Sequence, residues 1–415
     1  MLTQKNRNIV FNHLLFFFIW PLMSLFYSLK RNDLKWTKNI FWLFCIYFGY
    51  TFVVSNKEID AYRYIETFKT LSDNSYSFNE FISFLFSGET KYVDIVNPLI
   101  SFILSRFTSD GRILLATYGM FFGFFYSRNI WYLLEKAINK SIPTIFFIIV
   151  FSLIDPIWKL GTFRFGSAIH VFLYGALPFL LDGNTKKIWA CLFSPFVHFT
   201  FIFPLILLML YFVVGNRQHL FILLFAISLF INDLNLAAIQ NQFQIFPEIY
   251  QQKASSYITE DYYQLQTGQI NITNWYIKYY IPILKFISAI FIFVIYIFNK
   301  TIFNTGFYLR GLWCFTILFY AFANLVNLIS QGIRFYAVAN LLTFFLLSMI
   351  LSLKDLPGLL KFLKIIVIPF LILLIIVDIR RGFDFIGLAT IFGNPLIAPF
   401  FDNDISLISI VKSLF

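Results

Sequence analysis

Charge is scarce in this chain. Only 13% of its 415 residues are Asp, Glu, Lys or Arg, and 59% are hydrophobic; soluble globular domains sit nearer a quarter charged and half apolar. That balance excludes an ordinary soluble fold. Cysteine is scarcer still. Cys45, Cys191 and Cys314 lie singly inside apolar runs, so neither a disulfide framework nor a cysteine metal site has its spacing. No Walker phosphate loop, GxGxxG, HExxH, CxxC or GxSxG segment occurs, which leaves ATP hydrolysis and zinc chemistry without support. The N-terminus, with Lys5 and Arg7 before an apolar stretch, resembles a signal peptide. That stretch, however, runs to Leu29 with no small-residue cleavage site and ends in a basic cluster, as a retained span does.

What the chain has instead is hydrophobic length. Runs fit to cross about 30 Å of hydrocarbon occupy 9–29, 39–55, 112–130, 142–160, 164–182, 188–214, 218–236, 275–298, 307–329, 333–353 and 362–378. A shorter run at 94–107 reads as an interfacial or re-entrant helix. Barrel strands would show alternation over about ten residues, so helices are the solution that satisfies the backbone in lipid. The expected fold is all-α: a polytopic integral membrane helical bundle of 11–12 transmembrane segments, a single membrane domain over 1–415. The 58 Phe and 23 Tyr residues suit a bilayer with aromatic interfaces, or reflect an AT-rich gene.

A net charge of +11 in a soluble protein would suggest nucleic acid. Here the basic residues fall between apolar runs, as cytoplasmic loops do, and nucleic acid is not expected as a partner. Lys30, Arg31, Lys35 and Lys38, then Lys186 and Lys187, then the three lysines of 354–364 mark cytoplasmic loops. The loops 56–93 and 237–274 and the tail 380–415 are then external. One conflict follows. Lys186–Lys187 inside and 237–274 outside require an odd number of crossings, yet two apolar runs lie between them. Pro195 and Pro204 interrupt 188–214, so this run is expected to enter partway and return, lining a polar cavity. The loop 237–274, rich in Gln, Tyr and Asn, is long enough to fold over a site. No duplicated halves are visible, unlike many secondary transporters.

Polar residues inside apolar runs are costly and usually face a cavity. Arg164, Ser167, His170 and Tyr174 fall within about 120° of one helix face, with Arg164 at its outer end or snorkelling at the interface. His198 follows Ser194 by one turn in SPFVHFTFIFP; the alternative is a hydrogen-bonded packing histidine. Tyr320, Asn324, Asn327, Gln331 and Arg334 alternate steps of four and three. They form one polar stripe, a ligand-facing wall or interhelical glue, provided Gly332 does not break the helix first. Glu58, Asp60, Tyr62 and Tyr64 stand just outside the second span. Two arginines at one face can hold a diphosphate by bidentate, charge-assisted bonds, and a carboxylate or histidine beside them can act on a hydroxyl.

The order of these segments carries a resemblance. EIDAYRY follows the second span, then come VNPLISFIL, FRFGSAIHVFLYGALPFLL, a KK turn, SPFVHFTFIFPLILL and, much later, GIRFYAVANLLTFF. This resembles the EpsG-type and Wzy-type polymerases of exopolysaccharide and O-antigen over most of residues 20–350, with Phe165 where that family often has a polar residue. The resemblance implies a metal-independent, cofactor-free transferase of the bacterial plasma (inner) membrane, its site toward the periplasmic or external face. A glycan on undecaprenyl diphosphate would move onto a second lipid-linked oligosaccharide, for O-antigen, capsule or exopolysaccharide. Arg164 and Arg334 would hold diphosphate, His198 would lie in the cavity, and Asp60 would orient or deprotonate the acceptor hydroxyl. His170, Tyr62, Tyr64, Asn324, Asn327 and Gln331 are the further substrate-contacting candidates. Membrane lipid, a chain-length regulator and other polysaccharide-assembly proteins are the implied partners. Another multi-spanning transferase using lipid-phosphosugar donors, an O-antigen ligase and a lipid-linked oligosaccharide flippase remain open alternatives.

Overall fold

The computed structural model describes the chain except residues 1–3, 32–33, 35, 55–56, 58, 75, 87–93, 232–273, 402–404 and 415. Glu58, most of the loop 237–274 and the end of the loop 56–93 therefore lie outside the described residues. Among those described, the regular elements are helices, α-helical or 3-10. The protein is an all-α helical membrane bundle. In chain order its first twelve helices are α1 (Gln4–Ile19), α2 (Pro21–Lys30), α3 (Thr37–Tyr50), α4 (Asp60–Asp73), α5 (Phe78–Phe86), α6 (Val96–Ser105), α7 (Gly111–Lys136), α8 (Ile142–Ile154), α9 (Phe163–Asp182), α10 (Trp189–Val197), α11 (Ile202–Val214) and α12 (Gln218–Ser228). After the undescribed stretch come α13 (Tyr280–Ile297), α14 (Asn299–Thr305), α15 (Arg310–Val326), α16 (Phe335–Leu351) and α17 (Gly358–Gly382).

Among the described residues, five helical segments are by themselves long and apolar enough to cross a membrane: Ile142–Asp182, Trp275–Ile297, Phe307–Val326, Gly332–Leu351 and Gly358–Gly382. The other apolar runs are shorter helices or carry more polar residues. α3 has 14 residues, about 21 Å of rise. α7 has 26 but includes Arg112, Arg128, Glu135 and Lys136. The run 9–29 is not one span. It divides at Trp20 and Pro21, and α2 returns beside α1, with the His13 and Tyr27 rings 4.5 Å apart.

The run 188–214 also turns back. α10 starts where the Lys187 carbonyl lies against Gly175, midway along α9, and climbs antiparallel to α9 as far as His198. There the backbone is extended, at φ −149° and ψ 118°. After a 3-10 turn at Phe199–Phe201, α11 descends again: Phe201 packs 6.1 Å from Phe172, and Phe212 packs 6.2 Å from Phe179 further down α9. The two arms run in opposite directions along α9, so the run begins and ends toward the same end of the bundle.

Two ends of the bundle follow from side-chain contacts. Lys136 pairs with Asp182 at 2.5 Å, the Ile138 N–H donates to Ser352 Oγ, and Thr144 Oγ1 donates to the Leu351 carbonyl. These gather the basic turns at one end. At the opposite end stand α4, α6, the α8–α9 connection and the turn before α16. α3 and α7 cross closely because a Cβ on Gly49 would sit 2.2 Å from the Leu115 carbonyl oxygen, and one on Gly119 2.2 Å from that of Cys45. Small residues let membrane helices approach this way. The tail folds back on the same end as α4, with Phe385 stacked on Phe52 at 5.1 Å and Tyr47 Oη donating to the Ala389 carbonyl.

Candidate functional site

At the end opposite the basic turns, a cavity of about 200 Å³ opens between α4, the α8–α9 connection, the hairpin tip and the start of α16. Its walls include Asp60, Tyr64, Arg164, His198 and Arg334, residues that lie far apart in the sequence. Whole drug-sized ligands occupy pockets of about 300–1,000 Å³, so this volume is smaller than such a ligand needs.

Each residue arrives by a different local device. Asp60 opens α4 and its Oδ1 accepts from the exposed Arg63 guanidinium at 2.5 Å. One turn later Tyr64 Oη accepts from Arg164 Nε at 3.1 Å. Burial pushes the Tyr64 phenol up to about 12, with the neighbouring Arg164 charge opposing that shift. The hydroxyl therefore keeps its proton at neutral pH. Arg164, at the first turn of α9, also donates Nη1 to Asp94 Oδ2 at 3.0 Å. His198 Nδ1 accepts from the Thr200 N–H at 3.3 Å and lies 2.8 Å from Thr200 Oγ1. Accepting at Nδ1 puts the proton of a neutral ring on Nε2. Arg334 ends the 3-10 turn Gly332–Arg334, exposed, its guanidinium 5.9 Å from the Phe165 ring centre. Among the described residues no carboxylate pairs with Arg334.

The remaining candidates stand elsewhere. His170 is fully buried behind the wall, Nε2 3.3 Å from the Asp155 main-chain oxygen, while Asn129 donates to its carbonyl. Tyr62, half-buried on α4, does not line the cavity. The polar stripe is divided, because α15 ends at Val326 and the chain turns before Gly332. Tyr320 and Asn324 join buried interhelical networks: Tyr320 Oη and Ser288 Oγ donate to Asn340 Oδ1, and Asn324 bonds Ser228 and Tyr336. Asn327 lies just past that helix end, and Gln331 is exposed with a left-handed φ of 63°. Neither lines the cavity, and Arg334 alone of the stripe reaches it.

Three charged residues escaped the sequence reading. Asp94, 2% exposed, accepts from Arg164 and, through Oδ1, from the Phe199 N–H at 2.8 Å. It joins the start of α9 to the hairpin tip. Asp155 and Lys159, in the cavity wall, lay hidden inside the apolar run 142–160. The signal was the Asp-Pro pair at 155–156, because proline disfavours helix in the residue before it, so a break was legible there. Among the described residues no group of three or more His, Cys, Asp or Glu is placed to hold a metal ion.

Replacing Asp94 by alanine leaves the Phe199 N–H without this acceptor and Arg164 without its carboxylate partner, with the Tyr64 bond remaining. Breaking a buried ion pair from one side costs about 3–5 kcal/mol, and Arg164 is 31% exposed, so about 3 kcal/mol is expected. Thermal unfolding in detergent should show a clear loss in melting temperature for Asp94→Ala. A variant melting like the wild type would mean that the hairpin tip is held by other contacts.

Comparison with protein-family models, curated proteins and solved structures found no match to this chain.

Proposed function

We propose that this protein is a membrane glycosyltransferase that polymerises undecaprenyl-diphosphate-linked oligosaccharide repeat units, acting at the external face of a bacterial plasma membrane. The observation that carries this proposal is the cavity itself. Arg164 and Arg334, 170 positions apart in sequence (334 − 164), line it together with His198, Asp60 and Tyr64. The basic turns at the other end of the bundle resemble loops retained in the cytoplasm, which supports an outward-facing cavity.

The chemistry is a displacement at an anomeric carbon. The acceptor hydroxyl attacks, the bond from that carbon to the diphosphate oxygen breaks, and the lipid diphosphate leaves with the electron pair. Charge grows on the departing oxygen, and guanidinium donors aimed there are worth most in the transition state. Arg164 spends Nε and Nη1 on Tyr64 and Asp94, a bracing that fixes the guanidinium with donors to spare. Tyr64 and His198 can donate to sugar or phosphate oxygens.

The direct test is purified protein in lipid bilayers with a synthetic isoprenoid-diphosphate-linked repeat unit as sole substrate. A ladder of products rising by whole repeats is expected. Movement of the intact lipid across the bilayer without extension would support a flippase, and addition of one monosaccharide a different transferase. The ladder should also form in excess EDTA, because among the described residues no three His, Cys, Asp or Glu side chains are grouped as such ions require. Loss of extension in EDTA, regained with a divalent ion, would show that the two arginines do not suffice.

A further inference from the structure

We infer that Asp155 takes the proton from the acceptor hydroxyl, and that the wall it forms with Lys159 is the subsite of the acceptor sugar. This rests on the glycosyl transfer proposed above. Asp155 directly follows the last residue of α8 and precedes Pro156. The chain turns there into the 3-10 helix Ile157–Thr162, which leaves Asp155 in the wall of the cavity.

Its two oxygens are not equivalent. Oδ1 lies 3.6 Å from Lys159 Nζ, an ammonium that also donates to the Ile154 carbonyl at 2.7 Å. Oδ2 is buried and has no hydrogen-bond partner among the described residues. His170 Nε2 approaches both Oδ2 and the Asp155 main-chain oxygen at 3.3 Å, but only the main-chain contact has bonding geometry. No donor in the cavity reaches Oδ2, so Oδ1, beside the ammonium and not hydrogen-bonded to it at 3.6 Å, is the oxygen that a bound hydroxyl meets. Carboxylate and ammonium side by side suit a hydroxyl-rich ring, which offers donors and acceptors together.

Asp60 is the less suitable acid. It stands at the first turn of α4 with Oδ1 held at 2.5 Å by the exposed Arg63, so a proton-accepting oxygen is already engaged. In the step assigned to Asp155, the acceptor O–H bond breaks and its proton passes to Oδ1. The freed oxygen bonds the anomeric carbon, and the lipid diphosphate departs with the electron pair of the broken C–O bond. The proton then leaves Asp155 for water, and the carboxylate is restored.

The experiment compares Asp155→Asn, Asp155→Ala and Asp60→Asn in the reconstituted extension assay, with binding of the free isoprenoid diphosphate measured alongside. Asp155→Asn keeps the side-chain shape and is expected to lose about a hundredfold in turnover while binding the diphosphate like the wild type. Asp155→Ala should regain about tenfold on addition of formate, a carboxylate small enough to act as the missing base. Asp60→Asn should lose less than Asp155→Asn. Turnover of Asp155→Asn within about fivefold of the wild type, or an Asp155→Ala loss that formate leaves unchanged, would overturn the assignment. An inactive wild type would instead overturn the function proposed above.

Discussion

Arg334→Ala should slow chain extension about a hundredfold and leave the protein folded. The guanidinium stands at the cavity mouth on an exposed turn, with Phe165 beneath it and no carboxylate partner among the described residues. Its removal therefore strands no buried charge. If it contacts the departing diphosphate, losing one such donor costs about 3 kcal/mol in the transition state. Cells carrying the variant should display glycan arrested at one repeat unit, and lipid-linked single repeats should accumulate. Arg334→Lys separates charge from geometry, because an ammonium cannot make the two-pronged contact. Full-length polymer from both variants at normal expression would reduce Arg334 to an interfacial anchor. Arg164 is a poorer site for this test. Its truncation also removes the ion pair to Asp94, 2% exposed, so a rate loss there would mix chemistry with folding.

The second large effect is on assembly. Gly119→Leu is expected to keep the protein from accumulating as a monodisperse species. A first side-chain atom at 119 meets the Cys45 carbonyl oxygen at 2.2 Å, and main chain cannot rotate away as a side chain does. Overpacking usually costs about 1–3 kcal/mol and occasionally more; here α3 and α7 must separate along their length, which places the loss at the upper end. The damage would reach the cavity, since the adjacent Tyr118 stacks on Phe163 at 4.0 Å, one residue before Arg164. Fluorescence-detected size exclusion of a tagged variant reads this directly. Gly358→Leu is the control, because nothing lies within 4 Å of a Cβ there. A normal elution profile for Gly119→Leu would show that the crossing tolerates what its geometry forbids.

Much of this arrangement was legible from composition and local pattern. Apolar runs announced a helical membrane protein, and the prolines of 188–214 announced a run that enters and returns. Arg164, His198 and Arg334 stood out because charge and imidazole are expensive in lipid, and they line one cavity. Less was legible where a partner decides the role. Nothing local to Asp94 says that it will meet Arg164, 70 positions on (164 − 94). Tyr320 and Asn324 share a helix face with the positions leading to Arg334, yet side chains from α12, α13 and α16 claim them. Periodicity identifies a polar face; which neighbours occupy it is a tertiary property. The number of crossings was hard to read for a related reason. A run of hydrophobic residues says that a segment can sit in lipid, and the turn at Trp20–Pro21 or at His198 then decides whether it emerges on the far side.

The hairpin at His198 also constrains the order in which the chain is built. Its tip carries an extended, non-helical backbone, and the Phe199 N–H there is satisfied by a carboxylate from residue 94. Alone in hydrocarbon that tip would lose the Asp94 acceptor of its Phe199 N–H, a bare peptide group costing several kcal/mol. Asp94 and α9 belong to the part of the chain synthesised earlier, so the tip is expected to settle once they are in position. Insertion of 188–214 is then less an entry into lipid than a docking onto finished protein, a late event in biogenesis that waits on its receptor.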